Sequence, residues 1–287
     1  MPLTLSQAAR CVRIPLAGGG QETLLSEVGA QYLLPLFTTA EACALRLVCR
    51  EFLAAVTEQP WEDTQTVIQG SIAAWRACFP RARCANVQQW GWRFERRAAP
   101  VGDADFVHFE GLRQLYMAGC RDVTDAAFVH LRGIHTLDMS YCGQAAITDA
   151  AFAHLAGIQR LSIMLCHQAT ITDAAFLHLQ GIQLLNIGEC RQLTDAAFLN
   201  LRGIRTLFMW YCTAITDAAF VHLRGIHTLV MEGCRQATIT GVAFAHLKGI
   251  QVLGMCECRD EQVETARSLA LPVNFRRCII ERPSLHL

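Results

Sequence analysis

Three kinds of residue recur along this 287-residue chain at spacings that could do chemistry. Cysteines stand at 120, 142, 166, 190, 212, 234 and 258, and histidines at 108, 130, 154, 178, 222 and 246. A Thr-Asp pair precedes most of those histidines. Imidazoles in a row suggest a metal ladder or a pH sensor. A hydroxyl, a carboxylate and an imidazole in one repeat imitate a catalytic triad. Both ideas meet one objection: metal sites and active sites need groups that converge on a point. A strict recurrence spreads them along an axis. Cys256 and Cys258 form a C-x-C with no second pair beside it. Gly18-Gly19-Gly20 lacks the strand and helix that frame a phosphate loop. No catalytic residue, metal ligand or cofactor is expected, and the chain reads as a non-enzyme.

The elements behind the recurrence explain it. Each of the first six cysteines is followed by a variant of ITDAAF, from VTDAAF at 123–128 to ITGVAF at 239–244. The period is 22 or 24 residues, and the extra pair always falls between the cysteine and the apolar residue before Thr. A fixed period with a movable insertion predicts a solenoid with one variable loop. In the copy GIHTLDMSYC, Leu137 and Met139 share one side of a short strand, and Thr136, Asp138 and Ser140 share the other. Cys142 turns inward as a small apolar thiol able to bond a loop backbone. Thr148 and Asp149 cap a short helix, both accepting from its free N–H groups. Phe152 and Leu155 face the core, and Gly157 supplies the positive φ that ends the helix. The histidines fall in the last turn, where positive charge is favoured.

Composition narrows the class. The chain is 52% hydrophobic and 17% charged, which fits a packed protein and excludes a disordered one. Zero formal charge gives no argument for nucleic acid or a membrane surface. No apolar run reaches the ~20 residues of a membrane span. The start of the chain lacks a signal-peptide pattern. A reducing compartment, cytoplasmic and/or nuclear, is therefore expected for the 14 cysteines.

Taken in order, residues 1–21 read as a flexible leader. Apolar spacing then turns helical, with Pro35 ending or kinking the run. Thr38 and Glu41 form a capping box for a helix that carries Ala42, Leu45, Val48, Cys49 and Phe52 on one face. Ile68, Ile72, Trp75 and Phe79 suit another helix, broken at Pro80. Trp90, Trp92 and Phe94 alternate like a strand. Arg81, Arg83, Arg93, Arg96 and Arg97 are read as a solvated linker face in preference to a nucleic-acid patch. Residues 260–270 read as a last helix with Val263, Ala266 and Leu269 inward. Residues 273–280 read as a closing strand.

The segment 24–61 resembles an F-box. Leu24-Leu25-Ser26-Glu27-Val28 fills the family's opening, with Leu25 where proline is usual. Leu45-Arg46-Leu47-Val48-Cys49-Arg50 fills its middle, and Trp61 its late tryptophan. The repeats resemble the cysteine-containing class of leucine-rich repeats; Ile134, Leu137, Met139 and Cys142 are one copy of that frame. The expected fold is an α/β solenoid, with short parallel strands and helices in a curved leucine-rich-repeat stack preceded by a small helical F-box-like domain. The expected organisation is leader 1–21, F-box-like domain 22–62, linker and cap 63–100, repeats 101–258 and C-terminal cap 259–287.

These resemblances imply a substrate-recognition subunit of an SCF-type cullin-RING ubiquitin ligase. A Skp1-type adaptor and its cullin complex would be partners, through Leu24, Leu25, Val28, Leu33, Leu36, Leu45, Val48 and Cys49. A target protein would lie on the concave strand face. There the outward positions differ between copies: Tyr116, Asp138, Tyr141, Met164, Leu165, Asn186, Glu189, Phe208, Trp210, Tyr211 and Glu232. Phe208, Trp210 and Tyr211 are expected to form an exposed aromatic cluster, rimmed by glutamates, of the kind that makes a binding hot spot. The alternative is that these side chains pack on one another or on the C-terminal tail. The alternative function is a leucine-rich-repeat scaffold with no ligase role.

Overall fold

The computed structural model describes residues 13–15, 21–23, 34–47, 50–89 and 99–275. The chain divides into two compact units, 1–86 and 87–287.

In the first unit, strands β1 (Arg13–Pro15) and β2 (Gln21–Thr23) pair antiparallel. Helix α1 (Thr39–Leu45) starts on the expected capping box. Thr38 accepts from the Glu41 N–H, and Glu41 accepts from the Thr38 N–H at 2.8 Å. Asp63 fastens the same end by accepting from the Thr39 N–H and hydroxyl. Burial alone would raise the Asp63 carboxyl; hydrogen bonds from Thr66, Thr39 and Gln65 outweigh it and hold the group below its usual range. Helix α2 (Arg50–Glu58) follows as a separate element. One continuous helix was expected, because the apolar spacing runs on across the break. Helix α3 (Ile72–Cys78) begins at a Ser71 cap and leaves Ile68 outside, its N–H bonded to the Asn86 carbonyl in β3 (Cys84–Asn86). Leu34, Ala42, Leu45, Val56, Trp61, Phe79 and Ala82 form the core of this unit. The strand expected from Trp90, Trp92 and Phe94 lies outside the described residues, as do Arg93, Arg96 and Arg97. Arg81 and Arg83 pair with Glu58 and Glu62.

The second unit is a stack. Strands β4 (Gln114–Tyr116), β5 (Thr136–Asp138), β6 (Arg160–Ser162), β7 (Leu184–Asn186), β8 (Thr206–Phe208), β9 (Thr228–Val230) and β10 (Val252–Gly254) pair in parallel, each with the next. Strand β11 (Val273–Asn274) closes the order at the end. Leu115, Leu137, Leu161, Leu185, Leu207, Leu229 and Leu253 are partners in register, one per copy. Behind them one phenylalanine per copy, such as Phe128, Phe152 and Phe176, is wholly buried. The helical segments are tighter than expected. Asp125–Leu131, Asp173–His178 and Asp195–Asn200 are 3-10 helices, and Asp149–Phe152 and Asp217–Phe220 are single α turns that continue as 3-10. Helix α4 (Asp260–Ser268) buries Val263 and Ala266 but leaves Leu269 exposed, past its end.

Three hydrogen-bond ladders tie copy to copy. Each repeat cysteine donates its thiol to a carbonyl of the preceding copy, as from Cys190 to Ile163 at 3.0 Å and Cys212 to Ile187 at 3.1 Å. Burial pushes the Cys190 and Cys234 thiols up to about 12, so they remain protonated donors. The Thr-Asp pair divides its labour. Thr148 accepts from its own helix at the Ala150 N–H, while Asp149 accepts from the N–H and hydroxyl of Thr172 in the next copy, at 2.7 and 2.6 Å. Asp103, Asp125, Asp173, Asp195 and Asp217 repeat that link. Both residues were expected to cap their own helix. The third ladder is glutamine: the side-chain amides of Gln144, Gln168, Gln192 and Gln236 each donate to the carbonyl of the cysteine one copy earlier, Cys120, Cys142, Cys166 and Cys212.

Candidate protein-interaction site

The strand face is where the copies differ, and its geometry follows from register. Side chains at equal positions on neighbouring parallel strands stand ~4.8 Å apart, so they stack into columns and cover one another. Tyr116, Met164, Asn186, Phe208 and Glu232 are buried on this face; Asp138, Tyr141, Leu165, Glu189, Trp210 and Tyr211 are half-buried. The exposed aromatic cluster expected at Phe208 is thus corrected. Phe208 is 8% exposed and meets Trp210 edge-on at a centroid distance of 5.8 Å.

Glycines on adjacent copies receive the larger rings. A Cβ at Gly188 would lie 2.3 Å from the Trp210 indole, and one at Gly233 would lie 2.3 Å from the Tyr211 ring. The Tyr211 hydroxyl donates to Glu257 two copies on. Glu189 pairs with Arg191 at 2.8 Å. Two other varied positions hold the backbone. The Asp138 carboxylate accepts from the Ser140 N–H and hydroxyl, and the Asn186 side chain accepts from the Gly188 N–H. Burial pushes the Asp138 carboxyl up, against those hydrogen bonds.

One column stands out energetically. The residue before each repeat cysteine has positive φ. It is Gly at 119 and 233, but Tyr141, Leu165, Glu189, Tyr211 and Glu257 occupy the same left-handed region with φ between 55° and 64°. A side chain there costs about 1–2 kcal/mol relative to the right-handed region, and glycine removes the clash. Five copies keep a side chain all the same. Sequence comparison between copies singled this column out as variable; its backbone strain had no signal beyond the two glycines.

Of the residues expected to contact an adaptor, Leu24, Leu25, Val28, Leu33, Val48 and Cys49 lie outside the described residues. Leu36 is 77% exposed, beside a groove lined by Pro35, Phe37, Pro60 and Trp61. Leu45 is only 4% exposed and belongs to the core of its unit, because its position in α1 points it at Val56 and Trp61. The spacing missed Leu47 and Leu53, which are exposed. Among the described residues no three His, Cys, Asp or Glu side chains converge as metal ligands, and no helix is long and apolar enough to cross a membrane. His130 instead pairs with Glu110 at 2.6 Å.

Comparison with solved structures fixes the architecture. Human 5T4 (Wnt-activated inhibitory factor 1, trophoblast glycoprotein) is similar over 68% of this chain and 78% of that one, at 17% identity and a TM-score of 0.50. The fold is a leucine-rich-repeat solenoid. Yeast Rad7, from its complex with Elc1, matches 61% of this chain at 16% identity and a TM-score of 0.38. TLR13, from its complex with ssRNA13, matches 63% at 16% identity and a TM-score of 0.44. The chain spans less than half the length of these last two, 44% and 30%. No protein-family model and no curated protein matches the sequence. The strand face is the most varied surface of the stack.

Proposed function

We propose that the chain is a substrate-recognition subunit of an SCF-type cullin-RING ubiquitin ligase. The first unit docks on a Skp1-type adaptor, and the strand face holds a target protein. The chain supplies no catalytic group of its own, and the chemistry belongs to its partners.

The observation that supports the reading is the distribution of leucines in the first unit. Leu36, Leu47 and Leu53 are 77%, 89% and 40% exposed, while Leu45 closes the core. Full burial of one such side chain against a partner would contribute roughly 1.5–3 kcal/mol. On the strand face, the strained Tyr141, Leu165, Glu189 and Tyr211 are the side chains to expect at a target, since strain persists where a side chain is used.

The test is co-purification of the full chain with a Skp1-type adaptor. Leu36→Asp with Leu47→Asp should abolish the complex and leave the melting temperature unchanged, because neither residue is buried. If the wild-type chain binds no adaptor, a scaffold without a ligase role replaces this reading.

A further inference from the structure

The face opposite the strands is apolar along the stack. The residue after each core phenylalanine is exposed and aliphatic: Val107, Val129, Ala153, Leu177, Leu199 and Val221. Leu177 and Leu199 are 58% and 56% exposed. Three positions earlier an exposed alanine recurs, at 126, 150, 174, 196 and 218. Residues three apart are neighbours on a helix and eclipse one another in a 3-10 helix. The face therefore carries a ridge of larger side chains, interrupted at Ala153, beside a shelf of alanines. Single exposed aliphatics are ordinary on protein surfaces; a contiguous apolar strip marks an interaction site.

The edges of the strip carry opposite charge in three of the copies. The aspartate ladder, Asp103 to Asp217, borders the alanine shelf. Beyond the ridge lie the histidine column and, seven residues after each ladder position, Arg132, Arg202, Arg224 and Lys248, with Glu110, Ala156 and Gln180 taking that place in the other copies. Turning a second copy over about a twofold axis parallel to the stack brings shelf onto ridge and the acidic edge onto the basic edge. Large then meets small at every level but that of Ala150 and Ala153, and Asp125, Asp195 and Asp217 meet Arg132, Arg202 and Arg224. The last copy reverses the pattern and still fits. Val242 stands on the shelf and Ala245 on the ridge, both exposed, so the swap keeps a large residue opposite a small one.

We propose that this helix face is the interface of a parallel, twofold homodimer, in which the Val/Leu ridge of each copy seats on the alanine shelf of the other. Such an interface is isologous, the same patch meeting itself. The proposal is independent of the ligase reading, which concerns the first unit and the strand face.

Sedimentation equilibrium of the full chain tests it. The wild-type chain should dimerise, and raising the salt concentration should weaken the dimer by screening the edges. Leu199→Asp places an unpaired charge in the interface twice per dimer and should weaken association by at least about 30-fold. Leu199→Ala should weaken it about 10-fold. Adding Ala196→Leu to Leu199→Ala exchanges ridge and shelf at one level and should restore affinity to within about 3-fold of wild type. Circular dichroism and melting temperature verify that each variant is folded. A chain that stays monomeric at high concentration, a Leu199→Asp variant that associates like wild type, or a double variant no better than Leu199→Ala each overturns the proposal. In that event the strip belongs to a different protein or to a lipid surface.

Discussion

The two faces of the repeat unit invert a simple expectation. On the strand face the residues change from copy to copy, yet they close over one another: Phe208 on Trp210, Trp210 on Gly188, Tyr211 on Gly233. On the helix face the residues stay small and aliphatic from copy to copy, yet Leu177, Leu199 and Val221 stay exposed. Variation therefore does not measure exposure, and constancy does not measure burial. A varied position on a sheet in register has its neighbour's side chain ~4.8 Å away and must fit it. A constant position on a short outer helix has no such neighbour outward.

The largest test of this contrast is Gly188→Val. A Cβ there meets the fixed part of the indole, and Phe208 holds the ring from the side. We expect a loss of about 2–3 kcal/mol in urea unfolding, most of it recovered by adding Trp210→Ala. Unchanged stability would mean that the ring swings free and the strand face is open after all.

Asp149→Ala is expected to cost somewhat less, about 2 kcal/mol, since two charge-assisted bonds to Thr172 are lost while the helix keeps its Thr148 cap. Asp149→Asn should fall between the two, because one acceptor remains. A result equal to the loss of an exposed helix-end charge, a few tenths of a kcal/mol, would reduce the aspartate ladder to a surface decoration.

That aspartate also shows where sequence reading stopped. The frame was legible because its constant residues are structural: cysteine inward, threonine at the cap, phenylalanine in the core, glycine at positive φ. The partner of Asp149 was not, because it stands 23 residues away in the next copy. Alternation assigned strand side chains to the correct side and said nothing of how crowded that side is. The glutamine ladder shows in the sequence as a recurrent Cys-x-Gln at 142–144, 166–168, 190–192 and 234–236, but its acceptors stand one copy away. In the first unit the capping box of Thr38 and Glu41 was readable from four residues. The division between α1 and α2 was not, because helical spacing from Ala42 to Phe52 continues as though unbroken. Leu45 looked available to a partner for the same reason: spacing gives a face, and only packing decides what covers it.

The smallest effect separates the faces most sharply, because one substitution changes sign between them. At position 189 the backbone is left-handed, with φ of 64°. Glu189→Ala and Glu189→Gly both lose the exposed ion pair with Arg191, so their difference isolates the backbone. Glycine should be the more stable of the two by about 1 kcal/mol. At exposed Ala174, inside the helical segment Asp173–His178, glycine should instead be the less stable by roughly 0.5–1 kcal/mol. Paired urea titrations of the four chains measure both differences. Equal signs at the two sites would mean that the column before the cysteines carries no strain, and its side chains would lose their claim to be kept for a partner.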